Sequence, residues 1–303
     1  MGGNVFGNTA SIKKEDIQPT LREFFKQFKQ IFPKVEAHLS TIKTLGSVGK
    51  KDISGDIDLA LSEKSLKDIG DWGLDEEHIT ELFNGFKKRA RTSTDIMLRK
   101  RAIIVGIVEK IQQADKEILA DMKGSGTGSL FLLFPQYNSK GETVGDNVQI
   151  DINIGDIDWL VFSYHSATYK GNVKGLHRTQ LLVSLFSHKG YTFSHNYGIK
   201  NKETQEIVAN KPEQAVKLLN DLYGLDLDGE RVGDYFSITE ALRLSLNYVD
   251  LHGVYDTYLK ILDSTRCDVP EDLQQYWINN RERLGLKGKF LPGDSNLYKY
   301  KTE

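Results

Sequence analysis

The sequence predicts a mixed α/β (α+β) fold, with a mixed sheet and flanking helices followed by a mainly helical C-terminal part that contains a small β-hairpin. Two observations lead to this prediction. Apolar residues recur at three- and four-residue spacing, as in Leu21, Phe24 and Phe28, which indicates amphipathic helices. Apolar and polar residues alternate strictly from Val148 to Ile154, which is typical of a half-buried strand.

The same patterns place elements along the whole chain. In the first half they predict helices over residues 14–40, 75–91 and 95–122, and strands over residues 42–45, 57–61, 130–134 and 148–154. In the second half they predict helices over residues 176–188, 237–262 and 270–284, another helix from Lys211, and a hairpin over residues 191–208 that turns near Asn201-Lys202. We therefore expect a first domain over residues 1–165 and a mainly helical second domain over residues 166–303.

The composition is that of a globular protein in a reducing compartment. Of the 303 residues, 39% are hydrophobic and 27% are charged, which argues against disorder. The net charge of −2 provides no global basic field, so a polyanion would need a local patch. The single cysteine, Cys267, excludes an intrachain disulfide. With no secretion signal at the start and no apolar run of about 20 residues, we expect a cytoplasmic protein without a membrane or disulfide-linked partner.

Two aspartates, Asp56 and Asp58, stand two residues apart on a predicted strand and therefore project from the same face. Ile57, Leu59 and Leu61 point the other way, toward the core. Adjacent carboxylates repel each other and are costly to desolvate unless a cation lies between them. A hard cation such as Mg²⁺ or Mn²⁺ suits these oxygen ligands. An isolated Asp-x-Asp pair is nevertheless also common on solvated strand faces.

A turn rich in glycine, serine and lysine precedes this pair. Gly46 allows the backbone to approach a phosphate, and Ser47 can donate a hydrogen bond to it. Lys50 and Lys51 add positive charge for a triphosphate, and Ser54 is a further candidate for binding the β and γ phosphates. The sequence thus predicts a phosphate-binding turn that leads into a metal-binding strand.

A third carboxylate is usually needed for phosphoryl transfer assisted by two metal ions. Asp151 fits this role because it lies on the polar face of the alternating strand over residues 148–154. Asp156 and Asp158 are alternatives, but they follow Gly155, where the alternation stops. The predicted metal ligands are therefore Asp56, Asp58 and Asp151.

These motifs resemble the signature of the DNA polymerase beta superfamily of nucleotidyltransferases. The residues that carry the resemblance are Leu45-Gly46-Ser47 followed by Gly55-Asp56-Ile57-Asp58-Leu59, and Gln149-Ile150-Asp151-Ile152 for the strand with the third aspartate. Lys189-Gly190-Tyr191-Thr192-Phe193, with Tyr197-Gly198-Ile199, is similar to the thumb motif of family X polymerases. The start of the chain, Met1-Gly2-Gly3-Asn4, also resembles phage-type nucleotidyltransferases, for which the location would be the host cytoplasm.

The resemblance implies a nucleotidyltransferase palm over residues 1–165 and a thumb-like substrate domain over residues 166–303. It implies two Mg²⁺ or Mn²⁺ ions, a nucleoside triphosphate as substrate, and transfer of a nucleoside monophosphate to a hydroxyl with release of pyrophosphate. The implied acceptor is a nucleic-acid 3′ end, either RNA (including tRNA) or DNA. The resemblance also places Tyr164, Lys174 and Arg178 near the nucleotide.

Departures from the family pattern keep other functions open. The elements with which the polymerases grip DNA are not visible, Gln149 stands where an arginine is common, and Lys50 or Lys51 replaces an arginine of the phosphate turn. These changes weaken the case for a templated polymerase. One alternative is a small-molecule or protein nucleotidyltransferase of the antibiotic-modifying or AMP-transferring type. Another is a catalytically inactive nucleotide-binding regulatory protein.

Several other residues allow both a functional and a structural interpretation. The basic stretch from Lys87 to Arg101 is either a nucleic-acid surface or a solvated helix face. Tyr164 could stack on a base or sugar, or belong to the core. Lys174 and Arg178 suit a phosphate at a helix terminus, or form an exposed basic turn.

Overall fold

The computed structural model describes residues 5–7, 9–90, 93–121, 125, 128–166 and 172–280. The chain forms two compact units, the first ending at Val161 and the second beginning at Phe162. The mixed α/β class predicted from the sequence is confirmed. No helix in the described ranges has the length and apolar character needed to cross a bilayer.

The first unit contains seven strands among its described residues. They are β1 (Ile12–Lys13), β2 (Lys43–Thr44), β3 (Ile53–Ser54), β4 (Ile57–Ser62), β5 (Leu119–Ala120), β6 (Ser129–Tyr137) and β7 (Thr143–Gly155). Five of them form a mixed sheet in the order β2-β4-β7-β6-β5. Within it β4 and β7 run parallel, while the other neighbours are antiparallel. β1 and β3 form a separate antiparallel pair that leads toward the start of β4.

The helices of the first unit are α1 (Lys14–Ile31), α2 (Glu36–Leu39), α3 (Glu76–Lys87) and α4 (Asp95–Gln113), and α5 (Ile157–Ser163) crosses into the second unit. The predicted helix over residues 14–40 is interrupted after Ile31, because Pro33 disfavours helical backbone in the residue before it. The predicted helix over residues 95–122 ends at Gln113. Ala114 is extended there, and the β5 residues pair with β6 instead. Short 3-10 helices at Glu63–Leu66 and Ile69–Trp72 were not predicted.

The core of the first unit lies between the sheet and its helices. Aromatic side chains recur at four-residue spacing in α1 and at the residue that caps it, Phe32. Two of them, Phe24 and Phe28, contact Phe134 of β6 and Trp72 respectively. All five of these rings are fully buried. This packing fixes one side of the sheet as the apolar side, so that polar residues of β4 and β7 face away from α1.

The second unit is mainly helical. Its elements are α6 (Gly175–His188), β8 (Tyr191–Ser194), β9 (Gly198–Asn201), β10 (Ile207–Ala209), α7 (Pro212–Tyr223), α8 (Gly229–Gly233), α9 (Tyr235–Ser245), α10 (Tyr248–Ser264) and α11 (Glu271–Asn280). The predicted hairpin is a three-stranded antiparallel sheet, because a second turn lies between Ser194 and Gly198. The predicted helix over residues 237–262 is two helices, since Leu246 is extended and the Asn247 side chain caps α10.

Parts of three predicted helices cannot be compared with the structure. Residue 91, residue 122 and residues 281–284, where these helices were expected to end, lie outside the described residues. For α3, α4 and α11 the described portions agree with the predicted type of element.

Candidate metal centre

The parallel pairing of β4 with β7 brings two of the predicted ligands side by side. Asp58 is the register partner of Asp151, and partners on neighbouring strands present their side chains on the same face of the sheet. Asp56 comes two residues before Asp58 and joins this face. One ligand oxygen from each of the three carboxylates lies within 4.8 Å of the others. The three residues predicted from the sequence are therefore gathered at one place.

The opposite face of the two strands is apolar, as their alternation predicts. Ile57 and Leu59 of β4 are fully buried, as are Ile150 and Ile152 of β7. A shift of one residue in either strand would turn these side chains to the polar face. The packing of the core therefore fixes the register that holds the aspartates together.

The carboxylates lie in an environment that disfavours their negative charge. Burial raises the pKa of Asp58 well above its usual range, and the charges of Asp56 and Asp151 raise it further. Burial raises the pKa of Asp151 to about 7, against the effect of a hydrogen bond from Gln149. Burial also raises the pKa of Asp56.

No lysine or arginine within the described residues forms an ion pair with these three carboxylates. Acidic groups that are close together and partly buried are strongly stabilised by a divalent cation. The oxygen donors also match the ligand preference of Mg²⁺ and Mn²⁺. The residues present therefore fit the predicted metal ions.

Two buried amide side chains flank Asp151 on the same face of β7. Gln149 Nε2 donates to Asp151 Oδ1 at 2.8 Å, and the Gln149 Oε1 atom accepts from the Val5 backbone N–H at 3.0 Å. Asn153 lies beside Asp58, where its amide offsets part of the rise in the Asp58 pKa. Ser129 Oγ donates to Asn153 Oδ1 at 2.8 Å. The Gln149 amide therefore orients Asp151, and neither amide adds a positive charge.

The roles of Gln149 and Asn153 were not predicted from the sequence. Both side chains are almost completely buried, with 1% and 3% of their surface exposed. The signal was nevertheless present, because residues 149, 151 and 153 are the polar positions of the alternating strand and must share one face. Gln149 had been noted only as a departure from the family's arginine.

The predicted phosphate turn begins directly beside the carboxylates. The Leu45 N–H donates to the Asp58 carbonyl at 2.9 Å, which anchors the turn to β4. Gly46 has a φ of +61°, a conformation that favours glycine, and a Cβ added there would lie 3.5 Å from Asp58 Oδ2. Ser47 is half-buried and follows at once, so the backbone of the turn lies next to the acidic group.

The remaining residues of the predicted turn differ in exposure. Lys50 is exposed and Lys51 is half-buried. Ser54 is buried at the end of β3, and its hydroxyl has no hydrogen-bond partner among the described residues. Because Ser54 lies two residues before Asp56, its hydroxyl is a candidate to hydrogen-bond a ligand bound at the carboxylates. Phosphate binding by these residues stays a prediction.

The alternative ligands Asp156 and Asp158 have other positions. Asp156 Oδ1 accepts from the Trp159 N–H at 3.1 Å, which caps the start of α5. Asp158 is exposed in the first turn of that helix. Neither belongs to the group of carboxylates that could share a metal ion among the described residues.

The other predicted nucleotide contacts belong to the second unit. The Tyr164 ring lies 4.6 Å from the ring of His195. Lys174 precedes α6 and forms an ion pair with Asp268 at 3.0 Å. Arg178 is buried, and it donates from Nε to the Val232 carbonyl at 2.9 Å and from Nη1 to the Phe162 carbonyl at 2.7 Å. These contacts give Arg178 a structural role, and its predicted contact with a nucleotide stays a prediction.

Comparison with known proteins adds no relative to this picture. No protein-family model matches the chain, and no curated protein matches it. The likeness to the polymerase beta superfamily therefore stays a prediction made from the motifs. What the site can do is inferred from the gathered carboxylates, their amide neighbours and the adjoining glycine turn.

Proposed function

We propose that the protein is a metal-dependent nucleotidyltransferase that moves a nucleoside monophosphate from a nucleoside triphosphate to a hydroxyl group and releases pyrophosphate. The observation that carries this proposal is the convergence of Asp58 and Asp151 from two parallel strands with Asp56 from the bend before β4, next to a glycine turn. A lone acidic pair would suit many roles. Three clustered carboxylates beside a turn with accessible backbone suit a charged phosphate substrate and its cations.

The carboxylates would hold the metal ions between the two strands. Asp56 and Asp58 would contribute ligands to both ions, and Asp151 would complete the site nearest the attacking hydroxyl. When bound, two Mg²⁺ or Mn²⁺ ions lower the pKa of that hydroxyl and offset the charge of the triphosphate. Gln149 would keep one Asp151 oxygen occupied and leave the other facing the ligand.

The turn from Gly46 to Ser54 would hold the phosphates of the leaving group. Gly46 brings backbone next to Asp58, and Ser47 and Ser54 offer hydroxyl donors. Lys50 and Lys51 would supply positive charge to the β and γ phosphates. In the reaction a bond forms between the acceptor oxygen and the α-phosphorus. The bond to the bridging oxygen of pyrophosphate breaks, and the hydroxyl proton leaves to water.

The acceptor we favour is a nucleic-acid 3′ end, of RNA (including tRNA) or DNA. The likeness of residues 189–199 to a polymerase thumb motif supports this choice. A small-molecule or protein acceptor remains the main alternative, because the net charge of −2 offers no general attraction for nucleic acid. A regulatory protein without activity is the less favoured alternative, because all three carboxylates are present and gathered.

The decisive experiment combines labelled nucleotides with metal removal. Purified protein is incubated with each labelled nucleoside triphosphate and with separate DNA, RNA, protein and small-molecule pools, in EDTA and then with Mg²⁺ or Mn²⁺. We expect label transfer and pyrophosphate release only with metal, and their loss in Asp151→Asn. Asp158→Asn is the matched control, since it removes an exposed aspartate outside the site. Full transfer in EDTA, or equal activity of both variants, would contradict the proposal.

A further inference from the structure

A small basic surface lies at the end of α3 and the facing part of α4. It consists of Phe86, Lys88, Arg89 and Arg101, which we call the Phe86 surface. The guanidinium carbon of Arg101 lies 4.5 Å from the centroid of the Phe86 ring, and that of Arg89 lies 5.7 Å from the same centroid. All three cations are exposed. The ring therefore holds two guanidinium groups close together at the protein surface.

The three cations of the Phe86 surface have no acidic partner among the described residues. Arg89 Nε donates to the Gly85 carbonyl at 3.1 Å, which leaves its terminal nitrogens available. Arg101 is in contact with the Phe86 ring, and no ion pair in the described part of the chain engages its donors. Like charges held together without a counter-ion create a local positive potential on a chain whose net charge is −2.

The neighbouring cations of the basic stretch are already neutralised or buried. Lys87 pairs with Asp95 at 2.7 Å, and Arg99 forms two hydrogen bonds with Glu76 at 2.9 Å. Lys100 is buried and donates to the Ile154 carbonyl. Only part of the stretch predicted from the sequence can therefore bind an anion, and Arg91 lies outside the described residues.

We propose that the Phe86 surface binds a single-stranded segment of nucleic acid. A guanidinium that lies on an aromatic ring keeps its planar donors free for a phosphate, and its outer face can stack on a base. Two such groups and a lysine around one ring match the combination of backbone charge and base stacking by which single strands are held. The inference rests on the proposed function for the identity of this segment as the acceptor strand.

The helix that carries Arg101 is bonded directly to the strand that carries Asp151. Lys100 precedes Arg101 in α4, and its Nζ donates to the carbonyl of Ile154 in β7. Ile154 lies three residues beyond Asp151, which corresponds to about 10 Å along a strand. The Phe86 surface and the carboxylates therefore belong to the same compact unit.

An exposed apolar side chain in α4 points to an anionic bilayer as the alternative ligand of the Phe86 surface. Ile96, in the first turn of α4, has 82% of its surface exposed. Basic and apolar side chains together can also suit an anionic bilayer. We favour nucleic acid because the arginines lie against an aromatic ring, and the membrane is included as an arm of the test.

The test measures binding without catalysis. Full-length protein in EDTA, without nucleoside triphosphate, is titrated against a short fluorescent single strand of RNA or of DNA at several salt concentrations. The double variant Arg89→Gln/Arg101→Gln should raise Kd about 10- to 100-fold, the range for loss of well-placed arginine contacts. The slope of log K against log salt should become shallower by about 1.4, because each lost phosphate contact on a single strand contributes about 0.7.

Two further variants separate this contact from general effects. Lys26→Gln/Lys29→Gln removes the same charge from ion-paired lysines of α1, one exposed and one half-buried. It should leave Kd within about twofold, because these lysines lie outside the Phe86 surface and are screened by their acidic partners and by salt. Phe86→Leu keeps all three cations but removes the ring, and we expect it to weaken binding less than the double variant does. Thermal unfolding of each variant shows that the fold is retained.

Each outcome decides the proposal. The proposal is supported if the wild type binds RNA, DNA or both and the double variant binds them more weakly. The strand that binds more tightly shows whether the surface prefers ribose or deoxyribose. Unchanged binding in the double variant, equal weakening in the lysine control, or binding only to phosphatidylserine vesicles overturns it. A wild-type protein that binds the strand here but transfers no nucleotide with Mg²⁺ or Mn²⁺ overturns the proposed function and leaves this surface standing.

Discussion

The three carboxylates of the first unit, Asp56, Asp58 and Asp151, and the Arg178 guanidinium of the second unit are ionisable groups that are stabilised in different ways. Both groups lie in surroundings with little water and without an ion pair among the described residues. Arg178 stands alone and donates to the carbonyls of Val232 and Phe162. Its guanidinium also lies over the Phe162 ring at 4.7 Å. Burial lowers the Arg178 pKa to about 9.

The carboxylates are instead held together, and each makes its neighbours harder to ionise. Burial and the charges of Asp56 and Asp151 raise the pKa of Asp58, and the Asn153 amide offsets only part of this rise. An isolated buried charge that donates to backbone carbonyls is typical of a structural role. Arg178 does so from Nε and Nη1, while its Nη2 atom has no hydrogen-bond partner among the described residues. Like charges gathered at one point are typical of a site that is completed by a ligand. The difference predicts that the two groups respond in opposite ways to mutation.

The largest effect is expected for Asp58→Asn. Turnover should fall more than about 10³-fold, because the metal ions supply most of the charge stabilisation in this type of reaction. In EDTA the same variant should unfold at a higher temperature than the wild type, because a repulsive charge has been removed. Pyrophosphate release and thermal unfolding measure the two effects. An Asp58→Asn variant that is both active and less stable than the wild type would show that the carboxylates have a structural role, as Arg178 does.

Arg178→Met should act on stability alone. The substitution removes the donor to the Val232 carbonyl and the shorter of two donors to the Phe162 carbonyl, which keeps the His165 N–H at 3.3 Å. We expect the free energy of unfolding in urea to fall by about 2–4 kcal/mol. Arg231→Met is the matched control, because Arg231 is exposed and also donates to one carbonyl, that of Asp226. Its effect should be about 0.5 kcal/mol or less. Similar losses in both variants would mean that burial does not distinguish Arg178.

The acidic group should also make the stability of the metal-free protein depend on pH. A carboxyl whose pKa is higher in the folded than in the unfolded state stabilises the fold below the unfolded value near 4. That stability is lost as pH rises toward about 7, the folded value for Asp151. In EDTA the wild type should therefore lose on the order of 2 kcal/mol between these values relative to Asp151→Asn. Saturating Mg²⁺ should reduce the difference, and parallel pH profiles in EDTA would contradict the raised pKa.

The smallest of these effects concerns the amide that orients Asp151. Gln149→Met keeps the length of the side chain but removes the donor, and loss of such a partner typically lowers metal affinity or activity about 10- to 100-fold. Metal titration and turnover measure it. Gln149→Glu is the informative companion, because it adds a fourth negative charge and should bind the metal yet fail to orient Asp151. Wild-type behaviour in Gln149→Met would show that Asp151 needs no orienting partner.

The placement of the three aspartates was more predictable from the sequence than the elements around them. Strict alternation places Asp151 on the face opposite Ile150 and Ile152, and the two-residue spacing does the same for the Asp56–Asp58 pair. Which strands lie side by side is a tertiary property, however, and alternation alone does not reveal that β4 pairs with β7. For the same reason the predicted helix over residues 95–122 was too long. Leu119 and Ala120, in its last part, pair with β6 instead. Hydrophobic periodicity reports the helical preference of a segment but not whether a neighbouring strand is available to pair with it.

The burial of Lys100 could have been predicted from its position on α4, although its basic neighbours in the sequence suggest an exposed residue. Lys100 was grouped with its basic neighbours as a candidate for the surface, yet it is buried and donates to Ile154. Its spacing from Ile103, Ile104 and Ile107 places it on the apolar face of α4. Burial lowers its pKa to about 8. Helical position was therefore a better guide to this residue than the charge of the residues beside it.

The parallel pairing of β4 with β7 also has a consequence for how the chain reaches its folded state. The two strands are separated by about 90 residues, so their contact closes a long loop and contributes strongly to contact order. During synthesis β4 leaves the ribosome long before β7 exists, and its two aspartates spend that interval without their third partner. A truncated chain that ends before β7 should consequently bind Mg²⁺ weakly, and metal binding can serve as a late reporter of folding in stopped-flow experiments.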